Sequence, residues 1–161
     1  MLIALTQNTT IEKLNDIDLA NLPKEGLEKQ RLIKTRVNQN IFRKIVLATY
    51  NNSCCITGIS TPQLLIASHI SPWSIEESNR MNPMNGLALN ALHDKAFDAG
   101  MITIDDDTYK VRISKKLKGK RVSMSIQQNF LDYEVKEMIL PDKFLPDRIF
   151  LKRHNTDMFA N

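Results

Sequence analysis

What the chain lacks narrows it first. None of its 161 residues fall in an uninterrupted apolar run approaching the roughly 18 positions a membrane-spanning helix needs, so none is expected. The opening MLIALTQNTT has neither a basic segment nor a long apolar one, and a secretory leader is not expected. Only two cysteines occur, Cys54 and Cys55, side by side. Neighbours in sequence rarely bridge each other, so there is no disulfide framework, and a cytoplasmic location is expected. Internal repeats, low-complexity tracts and flexible linkers are absent. Acidic residues are missing from KVRISKKLKGKR, residues 110–121, which holds seven basic ones in a chain of net charge +4. Such a cluster is either a solvated loop or a contact for a polyanion.

What is present reads as one α+β domain with enough chain to bury a core. Residues 1–36 read as an arm or helical segment, with a short helix over IEKLNDIDLANLP stopping before Pro23 and a basic stretch to Arg36. In NQNIFRKIVLATYNNSC, Ile41, Phe42, Ile45, Val46 and Thr49 recur at helical spacing, with Asn38 as the candidate N-cap and YNNS as the stop. CCITGIST reads as a turn around Gly58, QLLIASHI as a strand, and SPWSIEESNRMNP as a loop. NGLALN reads as a second strand and ALHDKAFDAG as a helix stopped at Gly100. MITIDDDTYKVRI reads as a hairpin around an acidic turn, and a last helix runs from Asp147.

The chemistry concentrates between residues 64 and 100. If the two strands pair and the helix packs across them, His69, Asn85, His93, Asp94 and Asp98 converge. A neutral histidine can take a proton from water. An asparagine can hold that histidine by a hydrogen bond. Asp94 and Asp98 lie four apart on one helix face, as two carboxylates holding a hard divalent cation would. Each feature alone has a plainer reading: a packed histidine, a turn asparagine before Gly86, two solvated acids. The ordered combination points to metal-assisted phosphodiester hydrolysis.

LLIASHISPW followed by RMNPMNGLALNALHDKAFDAGMITID resembles the HNH endonucleases, and most closely their restriction-endonuclease branch. The branch's pattern is His-Ile-x-Pro-Trp, then Asn-Pro-x-Asn-Gly-Leu, then Ala-Phe-Asp-x-Gly. The likeness extends upstream through RVNQNIFRKIVLATYNNSCCITGI and downstream into ILPDKFLPDRIFLKRH. It implies a ββα-metal (His-Me finger) HNH core over 37–161, with N-terminal helices and an additional β-hairpin. It implies one divalent ion, Mg²⁺ first with Mn²⁺ as the alternative. His69 takes the place of the general base, Asn85 that of the supporting asparagine, and Asp94 that of the helix ligand. Asp98 matches a second ligand of some members. His93 ranks below both acids, because adjacent helix positions diverge by about 100°.

Two departures stand out. Where many members carry Asp or His before the base, this chain has Ser68, a weak ligand for Mg²⁺. Where many carry two Cys-x-x-Cys pairs for structural zinc, it has Cys55 and Gly58, then Asn90 and His93, so no structural zinc is expected. Cys55 then reads as a small buried residue, and Cys54 as the same or as surface.

The expected function is a metal-dependent DNA endonuclease of restriction or defence type. The alternatives are an inactive nucleic-acid-binding module on an HNH scaffold, or a protein-binding module using the basic face. Duplex DNA is the expected partner, held by Gln39, Arg43, Arg80 and the Lys115, Lys116, Lys118, Lys120, Arg121 cluster. The plainer reading of Gln39 and Arg43 is helix surface, and of Arg80 a loop cap. A homodimer would follow from double-strand cutting, and a methyltransferase or a defence protein is a candidate partner. Trp73 and Pro72 either brace the loop after His69 or touch DNA, and His154 has no assigned role.

Overall fold

The computed structural model describes residues 34–72, 74–75 and 77–159, with side chains from Asn38 onward, all within one compact unit, Ile33–Asn161. The helix expected before Pro23, the basic stretch up to Ile33, and Trp73 lie outside the described residues.

Helix α1 spans Lys34–Thr49, so Asn38 lies inside it and caps nothing. Lys, Thr, Arg and Val contain no breaker, and the helix runs straight across the boundary expected at residue 36. Its buried face is Phe42, Val46 and Leu47, with Tyr50 buried just past its end, whereas Ile41 and Ile45 are 44% and 38% exposed. The apolar stripe is therefore rotated from the one periodicity suggested. Asn51 and Asn52, both at positive φ, end the helix where YNNS implied.

The expected strand at 63–70 is shorter. Pro62 starts a 3₁₀ turn, Pro62–Leu64, and β1 covers Leu65–His69. A second 3₁₀ turn, Pro83–Asn85, feeds β2, Gly86–Asn90. The two strands pair antiparallel from Leu65 opposite Asn90 to His69 opposite Gly86. Every β2 residue is buried, since α1 packs on this hairpin and α2, Ala91–Asp98, packs on it as well. A Cβ on Gly86 would sit 2.4 Å from Val46 Cγ2 and 3.0 Å from Phe42 Cζ. Only glycine lets α1 come this close to the end of β1. Asn90 caps α2 by accepting from the His93 amide, and Gly100 at φ +65 ends it as expected.

The additional hairpin forms as expected, from β3, Ile102–Ile104, and β4, Val111–Ile113. The basic segment follows as a 3₁₀ turn, Lys115–Leu117, and open chain. Helix α3, Met124–Asn129, has no counterpart in the sequence reading; Ser123 caps it. Helix α4, Arg148–Asp157, begins at its Asp147 cap as expected and packs on β3. The core runs through Phe42, Val46, Leu65, Leu87, Leu89, Phe97, Ile102, Ile104, Phe150 and Leu151.

Candidate active site

The end of β1 and the inner face of α2 share one open pocket of about 370 Å³, lined by Ser68, His69, Asp94, Asp98, His154 and Met158 among others. His69 is half-buried at the strand end. Its ring lies flat on Phe42, centroids 3.8 Å apart and planes 11° apart. Its Nε2 is 3.0 Å from the Arg80 carbonyl, which can only accept, so Nε2 carries the proton there and fixes the tautomer. Burial pushes the imidazole below its usual pKa, with the Arg80 carbonyl and the Asp98 charge partly opposing. The ring is therefore neutral at neutral pH.

Asn85 does not take the place expected beside the His69 ring. Its Oδ1 accepts from the Ser71 amide at 2.8 Å, and its Nδ2 donates to the carbonyls of Ser71 (3.2 Å) and Asn79 (3.3 Å). It stitches both ends of the loop that carries Arg80, so it acts on His69 at one remove.

Asp94 and Asp98 both face the pocket, as their four-residue spacing requires. Burial pushes the Asp94 carboxyl above the usual range, the nearby Ser68 hydroxyl pulls it back, and Asp98 pushes it further up. Ser68 Oγ is fully buried and has no hydrogen-bond partner of good geometry. An orphaned buried hydroxyl costs about 1–3 kcal/mol, so something polar belongs beside it. Two carboxylates and one spare hydroxyl are hard oxygen donors. They fit a cation such as Mg²⁺, which uses one or two carboxylates and keeps most of its waters. Among the described residues no three His, Cys, Asp or Glu side chains converge in a ligand cluster.

His93 turns away from this pocket. It is buried, accepts at Nδ1 from Asn90 Nδ2 (2.8 Å) and donates from Nε2 to the Asn129 carbonyl (2.6 Å). Phe130 and Tyr133 meet its ring edge-on. With both nitrogens engaged it is no ligand and no phosphate contact, which corrects its weak place among the metal candidates. The zinc-knuckle positions also shift by one. Cys54 and Thr57, rather than Cys55 and Gly58, face Asn90, whose Nδ2 is 3.7 Å from Cys54 Sγ and 3.2 Å from Thr57 Oγ1. Burial opposes ionisation of Cys54, but its contacts with His93 and Thr57 outweigh it and bring the thiol down to about 6. Thiol, hydroxyl, amide and imidazole satisfy one another there, and two of the four are poor zinc donors, so the set does not fit a structural zinc. Cys55 is buried apart from them, and burial pushes its thiol up.

Gln39 and Arg43 border a second hollow of about 340 Å³ on the other side of His69. Arg43 is engaged within the fold, donating to the carbonyls of Leu65 and Pro62. Arg80 pairs with Glu77 at 3.2 Å on the surface. Lys115, Lys116, Lys118, Lys120 and Arg121 are all exposed, with Lys118 paired to Glu134. The acidic turn is a turn, as expected: Asp105 Oδ1 accepts from the Asp107 and Thr108 amides. Sequence reasoning missed Phe42 against His69, the Arg80 carbonyl, and the arrival of His154 at the pocket. The Phe150, Leu151, His154 spacing does mark His154 as a core-facing position.

A search of curated proteins returned no match. Among solved structures the chain is similar to one titled "Modification dependent TagI restriction endonuclease", at 18% identity and a TM-score of 0.52. The likeness covers 74% of this chain and 38% of that one, so this chain spans well under half of its neighbour's length. No helix among the described residues is long and apolar enough to cross a membrane. Residues 54–105, which hold β1, His69, β2, α2 and β3, match the model of the HNH endonuclease family. Residues 54–105 are thus similar to the HNH endonuclease family, and the chain sets them on an α+β frame.

Proposed function

We propose that the protein is a divalent-metal-dependent endonuclease acting on duplex DNA, of restriction or defence type. The observation that carries this is the shared pocket: a neutral, tautomer-fixed histidine facing two carboxylates and an unsatisfied hydroxyl.

With Nε2–H held by the Arg80 carbonyl, Nδ1 is the nitrogen with a lone pair to accept a proton. His69 takes that proton from a water, which attacks phosphorus as hydroxide. Phe42 and the Arg80 loop keep the ring from swinging, so its basic nitrogen stays aimed. Asp94 and Asp98 would hold the cation, and Ser68 would bond one of its waters. A bound divalent ion supplies charge neutralisation at the phosphate and at the departing 3′ oxygen. The exposed lysines of 115–121 supply a positive surface for the backbone, and Gln39 borders the hollow beside His69. Each phosphate neutralised should add about 0.9 to the salt slope of binding.

The neighbour's title suggests modification-dependent cutting as the first specificity to try. The test is incubation of supercoiled plasmid, modified and unmodified, with Mg²⁺, Mn²⁺ or chelator. Metal-dependent nicking or linearisation is expected. Tight binding with no cut under any metal would replace this reading with the silent DNA-binding module, which the serine at position 68 favours. Linearisation in one step would point to a homodimer.

A further inference from the structure

His154 enters the active-site pocket from α4, yet no step of the chemistry uses it. Resting on the function proposed above, we propose that His154 is a positioning residue that fixes the last turn of α2, and through it Asp98, for cation binding. It is 3% exposed and lies flat on Phe97, centroids 3.7 Å apart and planes 8° apart. Its Nε2 is 3.1 Å from the Phe97 carbonyl, the residue before Asp98. That carbonyl also receives the Gly100 amide at 2.9 Å, so His154 reinforces the closing turn of the helix. Its Nδ1 is 2.7 Å from Thr103 Oγ1 on β3, which lies 2.6 Å from Asn155 Oδ1; Asn155 Nδ2 donates to Asp106 at 2.8 Å. One buried ring therefore ties α4, β3 and the end of α2 together at the pocket wall.

Helix ends fray because their last carbonyls lack intrahelical partners. Asp98 is the final residue of an eight-residue helix, and it is exposed. A carboxylate on an unrestrained last turn would lose much of its affinity for a cation. The ring itself cannot ligate, since Phe97 and Thr103 take both nitrogens and its exposure is minimal. It acts through Phe97.

The test is Mn²⁺ binding to the purified full chain, followed by electron paramagnetic resonance well below each variant's melting temperature. The variants are His154→Phe, which keeps a flat ring and loses the donor, His154→Gln, which keeps a donor, and Thr103→Val, which releases Nδ1. Asp98→Asn is the reference for a lost carboxylate. Expected are a roughly tenfold weaker Mn²⁺ affinity for His154→Phe and smaller losses for His154→Gln and Thr103→Val. Unchanged Mn²⁺ affinity in a folded His154→Phe or Thr103→Val, with Asp98→Asn impaired, overturns the positioning role alone. Absence of Mn²⁺ binding by the unaltered chain overturns both this role and the metal-dependent reading.

Discussion

Two histidine sites lie on either side of one short helix, and they differ in almost every physical respect. His93 and Asp94 are consecutive in α2. One points into a closed quartet with Cys54, Thr57 and Asn90, and the other into an open pocket with His69 and Asp98. In the quartet every polar atom has a neighbour and the imidazole has no nitrogen to spare. In the pocket a hydroxyl lacks a well-formed hydrogen bond, a carboxyl is pushed up by burial, and a histidine holds one nitrogen against a backbone carbonyl. The first arrangement holds a fold together. The second turns a histidine, a buried hydroxyl and two carboxylates toward an open pocket. The side of α2 that a histidine faces, rather than its residue type, separates these two environments.

The comparison can be broken from either side. Asp94→Asn with Asp98→Asn should lower cleavage by about 10³-fold or more, an effect of about 4 kcal/mol on the barrier, while leaving the melting temperature near its starting value. A double variant that cuts at the original rate removes the pocket from the mechanism. Gly86→Ala forces a methyl into Val46 and Phe42 and should cost about 2–3 kcal/mol in urea unfolding, with activity lost in step because Phe42 moves off His69. His93→Gln should cost about 1–2 kcal/mol of stability, since two buried hydrogen bonds are disturbed. Its cleavage rate per folded molecule should not change, and a selective rate loss would mean that the quartet reaches the chemistry.

An effect of similar size is expected in pH. Burial holds His154 down to about 4, below the usual 6.5. The unfolded chain therefore binds the proton more readily, and the stability contributed by neutral His154 is complete above about 6.5. It is lost as pH falls from there toward 4. Unfolding free energies from urea titration should drop by about 1–2 kcal/mol between pH 7 and pH 5, and His154→Gln should flatten that part of the curve. A curve of the same slope in the variant would assign the acid sensitivity elsewhere.

Much of this frame was legible in the sequence, because it follows from local rules. Apolar runs and turn residues marked the β1–β2 pair, Gly100 marked the end of α2, and Asp147 marked the start of α4. Four-residue spacing was enough to put Asp94 and Asp98 together. The parts that escaped depend on tertiary approach. Nothing in NQNIF says that Phe42 will stack on a histidine 27 positions later; that contact exists because Gly86 leaves room for α1. Asn85 was assigned to His69 by order in the motif, yet a backbone carbonyl, invisible in any sequence, takes that hydrogen bond. The Cys54/Thr57 pairing was missed by one residue because a tight turn, with Gly58 at φ +75, decides which of two adjacent cysteines faces inward. The short helix α3 has too few apolar positions to show periodicity.

The most direct measurement is a single-turnover plasmid cleavage assay comparing His69→Ala with the unaltered chain in Mg²⁺, alongside DNA affinity for both. The expected result is a rate lowered by about 10²–10⁴-fold, with affinity within about threefold of the original. Full cleavage by His69→Ala would contradict the assignment of this pocket as the site of hydrolysis.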